Sequence, residues 1–213
     1  MFIGLLGPLG IGKSTVARVL INELKAKLII NEPFLENPFW KKSQKEPEFM
    51  LRSQMYFLLS NIINDWKAVK TDGIAISDTS CLTDILMWAW WYQKTGHLTK
   101  KEYQNYLKLV NLLKPIIPKP DLMILLVPDT IDNLKQGIIK RVKNEPYRQG
   151  ELVFVKKDSQ DLALQTKRVY QLKDILTKDW QIKVLFFQVN PLTVRKDKKI
   201  QEMIVEKVKK RLF

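Results

Sequence analysis

Gly7-Pro8-Leu9-Gly10-Ile11-Gly12-Lys13-Ser14 satisfies the pattern G-x-x-x-x-G-K-[ST] at every position. It lies between an apolar run, Phe2 to Leu6, and the stretch Lys13 to Ala26, where Val16, Val19, Leu20 and Leu24 recur at helical spacing beside the small Ala17. Strand, glycine turn and helix in that order form a P-loop. Gly7, Gly10 and Gly12 allow a tight turn whose N–H groups point inward at phosphate oxygens, and the positive end of the following helix adds to that field. Lys13 neutralises charge on the terminal phosphates, the Ser14 hydroxyl can ligate Mg²⁺, and Thr15 continues the cradle into the helix. The motif names a ligand, a nucleoside triphosphate such as ATP, and leaves the reaction open.

Outward from this loop the chain alternates strands with helices. Apolar strands are expected at Lys27 to Ile30, Gly73 to Ser77, Leu122 to Val127 and Lys183 to Val189. Helices are expected over Glu48 to Val69, over Leu82 to Lys114 with a break near Gly96, and over Ile131 to Val142, Asp158 to Thr177 and Asp197 to Arg211. Strands that are apolar throughout imply a parallel sheet covered on both faces. The expected fold is therefore α/β: a three-layer P-loop NTPase fold, one domain spanning 1–213, with a basic lid near 140–150. In such sheets ligands bind at the carboxyl ends of the strands.

Three polar groups fall at those ends. Glu32 follows the second strand and precedes Pro33, and a carboxylate there can take a proton from an attacking hydroxyl. Asp78 follows the third strand, where it can hold Mg²⁺ directly or through water. Arg141 and Lys143 end a helix that opens into a polar loop, from which they can close over a transferred phosphoryl group. Each has a plain structural alternative: a surface glutamate, a helix-capping aspartate, and cations drawn to a helix C-terminus.

Composition narrows the setting. The 213 residues carry a net charge of +14, with seven Lys or Arg against two acids from Lys135 to Lys157. No basic-aromatic nucleic-acid module accompanies that charge, so nucleic acid is not an expected partner. No apolar run reaches the ~20 residues needed to cross a bilayer, and the N-terminus has no leader-like composition. One cysteine, Cys81, excludes an intramolecular disulfide framework and fits a reducing compartment, so the cytoplasm is expected.

Taken in order, the P-loop, Asn31-Glu32-Pro33, Glu36-Asn37-Pro38-Phe39, Gln54 within Arg52 to Phe57, Asp78-Thr79-Ser80 with Asp84, Pro120-Asp121-Leu122 and Arg141 to Glu145 resemble the deoxynucleoside kinase family, particularly the bacterial deoxyadenosine and deoxyguanosine kinases. The resemblance covers most of the chain. It implies that Glu32 is the general base at a nucleoside 5′-hydroxyl, with Lys13 and Arg141 acting on the phosphates. Gln54 and Asp84 would hydrogen-bond the base, Trp88 would wall its pocket, and Asp78 would sit near Mg²⁺. Arg141 and Lys143 would form the lid, and the protein would be a homodimer with the tryptophan-rich helix as its natural face. The implied reaction is γ-phosphate transfer from ATP or another triphosphate to a deoxynucleoside, with a purine expected.

On the residues alone, Gln54 reads as a polar position on the exposed side of a long helix, Asp84 as a solvent-facing acid, and Ile85 to Trp91 as core or subunit interface. The chain also departs from the family pattern. Thr79 stands where an arginine is usual, and Arg141-Val142-Lys143 replaces Arg-Gly-Arg. Gly137 stands where arginine is common, Pro146 where a second lid glutamate is, and Lys41 to Glu48 lacks a tyrosine that contacts the sugar. The triphosphate half therefore matches better than the sugar half. Two other readings stay open: a related kinase for a nucleoside monophosphate or modified nucleoside, with Arg52 as an added cationic site, and a catalytically weak nucleotide-binding regulatory protein.

Overall fold

The computed structural model describes residues 1–30, 33, 35–156 and 160–213. Strands β1 (Phe2–Leu6), β2 (Leu28–Ile30), β3 (Ala75–Ser77), β4 (Leu122–Pro128) and β5 (Lys183–Val189) form one sheet in the order β2-β3-β1-β4-β5. Every pairing is parallel, so every connection crosses over through helical segments and all five carboxyl ends share one edge.

Side-chain alternation along the central strands divides the core. Ile3, Leu5, Ile124 and Leu126 face α1 (Lys13–Leu24), α7 (Ile131–Asn144) and α9 (Lys198–Leu212), burying Val16, Leu20, Ile138 and Val205. Leu6, Met123, Leu125 and Val127 face the opposite layer, with Leu58 and Ile62 of α3 (Met50–Lys70), Tyr106 and Val110 of α6 (Lys100–Leu113), and Val169 and Leu172 of α8 (Asp161–Lys178). The expected three layers are present.

The structure differs from the sequence expectation in three places that bear on the site. A short helix α2 (Trp40–Ser43) and a 3-10 turn (Pro47–Phe49) precede α3. The tryptophan-rich run is not one regular helix: α4 (Cys81–Thr83) opens into a π-turn, Asp84–Trp88, before α5 (Ala89–Lys94). The polar loop after α7 is a 3-10 segment, Pro146–Val155.

The P-loop packs tightly under α7. Gly10 has φ +78°, and a Cβ there would sit 2.4 Å from Ile138 Cγ1. Gly137 lies beside it, where a side chain would begin 3.2 Å from Pro191 Cβ. A side chain at position 137 would therefore have to push Pro191 aside by a few tenths of an ångström. Gly10→Ala should combine left-handed strain with this overlap and lower stability by about 1–3 kcal/mol. Thermal unfolding of the purified variant checks this, and an unchanged Tm would mean that the loop has room to relax.

Candidate active site

The loop between β1 and α1 brings distant groups together. Lys13 Nζ donates to Gly7 O at 3.2 Å, curling its side chain back over the loop. The Ser14 hydroxyl donates to the carboxylate of Asp78, 64 residues later. Thr79 Oγ1 donates to the same carboxylate at 3.0 Å. Thr79 is enclosed at 1% exposure, so an arginine in its place would have to abandon that contact. A hydroxyl beside one carboxylate at the end of a parallel sheet is a hard-oxygen donor pair. Among the described residues no larger metal-ligating cluster occurs. That fits Mg²⁺, which takes one or two protein oxygens and fills its octahedron with water and phosphate.

Beside the P-loop lies a cavity of about 470 Å³, which Leu9 of the loop helps to line, within the ~300–1,000 Å³ range of small-molecule sites. Gln54, Asp84 and Trp88 all line it. Gln54 and Asp84 are each 1% exposed, which overturns the readings of an exposed glutamine and a solvent-facing acid. Asp84 accepts from Asn61 Nδ2 at 2.8 Å. Gln54 Oε1 has no partner among the described residues, and its Nε2 reaches only Met50 Sδ at 4.0 Å. A buried carboxamide left unsatisfied in a cavity wall costs about 1–3 kcal/mol, and it is an address for a polar ligand.

The π-turn supports this arrangement. Such wide turns recur at functional sites because they rotate successive side chains relative to a regular helix. Here the turn carries both Asp84 and Trp88 on the cavity wall, with Trp91 of α5 beyond them. Trp91 is both core and wall: it is 2% exposed, packs against Phe154 at 5.2 Å, and its ring nitrogen finds no partner among the described residues.

The lid differs from its sequence image. Arg141 pairs with Glu151, Arg148 Nη1 meets Glu151 Oε1 at 3.0 Å, and Arg148 Nε meets Glu145 Oε2 at 2.6 Å. Lys143 is exposed at the end of α7, and neither it nor Arg141 lines the cavity. Arg148 and Glu151 do line it, and sequence reasoning passed over both. Their signal was the i,i+3 run of opposite charges Glu145, Arg148, Glu151. Arg52 is exposed, with its guanidinium over the Phe49 ring at 5.1 Å, whereas Lys41 and Lys45 lie on the cavity wall. Glu32 lies outside the described residues.

The fold and site define a P-loop phosphotransferase with a cavity beside the loop. The chain belongs to the deoxynucleoside kinase family, which its sequence matches over residues 3–212, and it is by that membership a nucleoside kinase. Its structure superimposes on deoxyadenosine kinase from M. mycoides with bound dCTP at a TM-score of 0.73 and 21% identity, covering 99% of this chain and 100% of that one. The same enzyme with bound dATP gives 0.73 and 21%, covering 98% and 100%. With the products dCMP and a flexible dCDP it gives 0.72 and 20%, covering 99% and 100%. No curated protein matches by sequence. Among the described residues no helix is long and apolar enough to cross a membrane.

One buried acid stands behind the Asp78 loop. Asp65 of α3, fully enclosed, accepts from the Cys81 N–H at 2.8 Å and holds the start of α4. Burial outweighs the Cys81 hydrogen bonds and pushes its carboxyl from 3.8 up to about 7. The folded state therefore keeps a proton that the unfolded chain releases first, so this group's contribution to stability falls as pH rises from about 4 to about 7. Asp65→Asn retains an acceptor for Cys81 without a charge and should flatten that decline in Tm. An equally steep Tm–pH profile in the variant would mean that Asp65 is not the titrating group.

Proposed function

We propose that this protein transfers the γ-phosphate of ATP, or of another nucleoside triphosphate, to the 5′-hydroxyl of a deoxynucleoside, with a purine as base. The observation that carries this reading is the cavity beside the P-loop, in which the buried Gln54 carboxamide and Asp84 carboxylate sit among aromatic walls. Such a lining fits a flat heteroaromatic base with donors and acceptors on its edge, and a glutamine amide complements the adjacent donor and acceptor of adenine.

In this reading residues 1–213 act as one catalytic domain with 140–155 as its lid. Gly7, Gly10 and Gly12 with the N–H groups of Lys13, Ser14 and Thr15 cradle the donor phosphates. The Lys13 ammonium leaves Gly7 O for the phosphate oxygens. Ser14 and Asp78 would hold Mg²⁺, whose chemistry there would be charge neutralisation on the transferred group. Glu32 takes the proton as the 5′-oxygen bonds to the γ-phosphorus, and the bond from that phosphorus to the bridging oxygen breaks, releasing the nucleoside diphosphate. Arg141 exchanges Glu151 for phosphate oxygen as the lid closes, and Lys143 approaches only with that closure.

One observation favours a second acceptor. Lys41 and Lys45 on the cavity wall offer cations to a nucleoside monophosphate. Incubation with Mg²⁺ and labelled ATP against deoxynucleosides, nucleosides and their monophosphates separates the two. Label on a deoxynucleoside 5′-position supports the proposal, label on monophosphates alone favours the second acceptor, and no transfer to any of them overturns both.

For the homodimer, we propose a face on α3 in place of the tryptophan-rich segment. Within the tryptophan-rich segment, Trp91 is buried and Trp88 and Trp91 line the cavity, which leaves little apolar surface there for a partner. Instead α3 exposes Leu59, Ile63 and Trp66 at helical spacing, with Ile63 at 60% exposure. Trp66 Nε1 reaches Ile116 O, next to the exposed Leu112 and Ile116. A second copy of the chain meeting this apolar face would give a mass near twice 25.0 kDa by light scattering, and a monomer at micromolar concentration would exclude it.

For the chemistry, Lys13→Ala should abolish transfer. Glu32→Gln should leave triphosphate binding intact while lowering turnover ~10²-fold or more. Equal turnover in the glutamine variant would remove Glu32 from the role of base.

A further inference from the structure

Two polar contacts leave neighbouring turns of α8, the helix that follows the lid. Gln165 is fully enclosed, and its Oε1 accepts from the N–H of Leu9 on the crest of the P-loop at 3.0 Å, across 156 residues of chain. Arg168, three residues later, donates from Nε to the Leu86 carbonyl at 2.9 Å, inside the π-turn that carries Asp84 and Trp88. Its guanidinium also lies over the Trp90 ring at 4.7 Å. Asp161, one turn before Gln165, lines the cavity.

Packing alone does not explain these residues. Gln165 Nε2 is buried without a partner among the described residues, a desolvation cost that leucine or methionine would avoid. What the amide supplies is the acceptor for Leu9. A π-turn shifts carbonyls out of the regular i→i−4 ladder and needs outside donors to hold its shape. The Arg168 guanidinium is such a donor, and its stacking over Trp90 fixes its direction.

We propose that α8 is a positioning strut, in which Gln165 sets the P-loop for the donor phosphates and Arg168 sets the π-turn for the acceptor. The inference rests on the proposed assignment of donor to P-loop and acceptor to cavity.

The test is a double dissociation read by binding. Calorimetric titrations with a non-hydrolysable ATP analogue plus Mg²⁺, and separately with deoxyadenosine, are run on wild type, Gln165→Met and Arg168→Met. Loss of one hydrogen bond corresponds to roughly five- to tenfold in affinity. Gln165→Met should weaken the analogue by that factor and deoxyadenosine much less. Arg168→Met should weaken deoxyadenosine and leave the analogue unchanged, and Arg168→Lys, which keeps a donor and the contact with Trp90, should recover most of the loss. Parallel weakening of both ligands in each variant, or a lowered Tm with unchanged affinities, would overturn the strut and leave only a structural role. Wild type that binds the analogue but no deoxynucleoside would sink the acceptor assignment and the Arg168 half with it. The Gln165 half is still decided by the analogue alone.

Discussion

The contact between the Ser14 hydroxyl and the Asp78 carboxylate depends on the neighbouring parallel strands β1 and β3. Their register pairs Gly4 with Ser77, so β3 ends while β1 still runs on to the P-loop. Asp78 is thereby delivered under the first turn of α1 rather than beside its own strand. Parallel pairing is slanted and needs a crossover helix for each step, and here α3 and α1 supply the crossovers that lock this register. The donor pair at the site is thus a consequence of the sheet: a shift of one residue between β1 and β3 would turn the side chain that follows Ser77 to the other face.

A second consequence of this layout is the polar wall of the cavity beside the P-loop. Asn61 and Asp65, both fully buried on α3, reach the segment after β3 from the same helix face one turn apart, one to Asp84 and one to the Cys81 N–H. Buried polar groups of this kind are expensive unless satisfied. Their pairing fixes where the chain leaves β3 and enters the π-turn. The aromatic walls then contribute area and shape, while orientation comes from this small polar skeleton.

The sheet, its helices and the P-loop were legible because each rests on local chemistry: apolar runs, helical spacing and a glycine turn between them. Strand β5 falls where its apolar run places it, at Lys183–Val189. The cavity was legible only by resemblance. Gln54 lies within an amphipathic helix where periodicity alone cannot say which side faces a pocket, since a cavity wall and a core face bury the same stripe. The π-turn has no sequence marker in Asp84 to Trp88, because one inserted residue changes hydrogen bonding without requiring glycine or proline. Gln165 and Arg168 were passed over because their partners, Leu9 and Leu86, are backbone groups, and a backbone partner leaves no trace in residue type.

Charge counting failed for a related reason. Seven cations against two acids between Lys135 and Lys157 suggest a lid ready to clamp phosphate, yet both acids are already joined to Arg141 and Arg148. These pairs are partly buried, with Glu151 at 14% side-chain exposure, so salt screens them less than a surface pair. In the lid role proposed above, a phosphate would have to displace a carboxylate rather than meet a free guanidinium. The ion pairs hold the arginines in place beforehand, which would lower the side-chain entropy lost on binding. An acid count taken as mere dilution of a basic patch misses this, because Glu145 and Glu151 act on the geometry of the cations as much as on their sum.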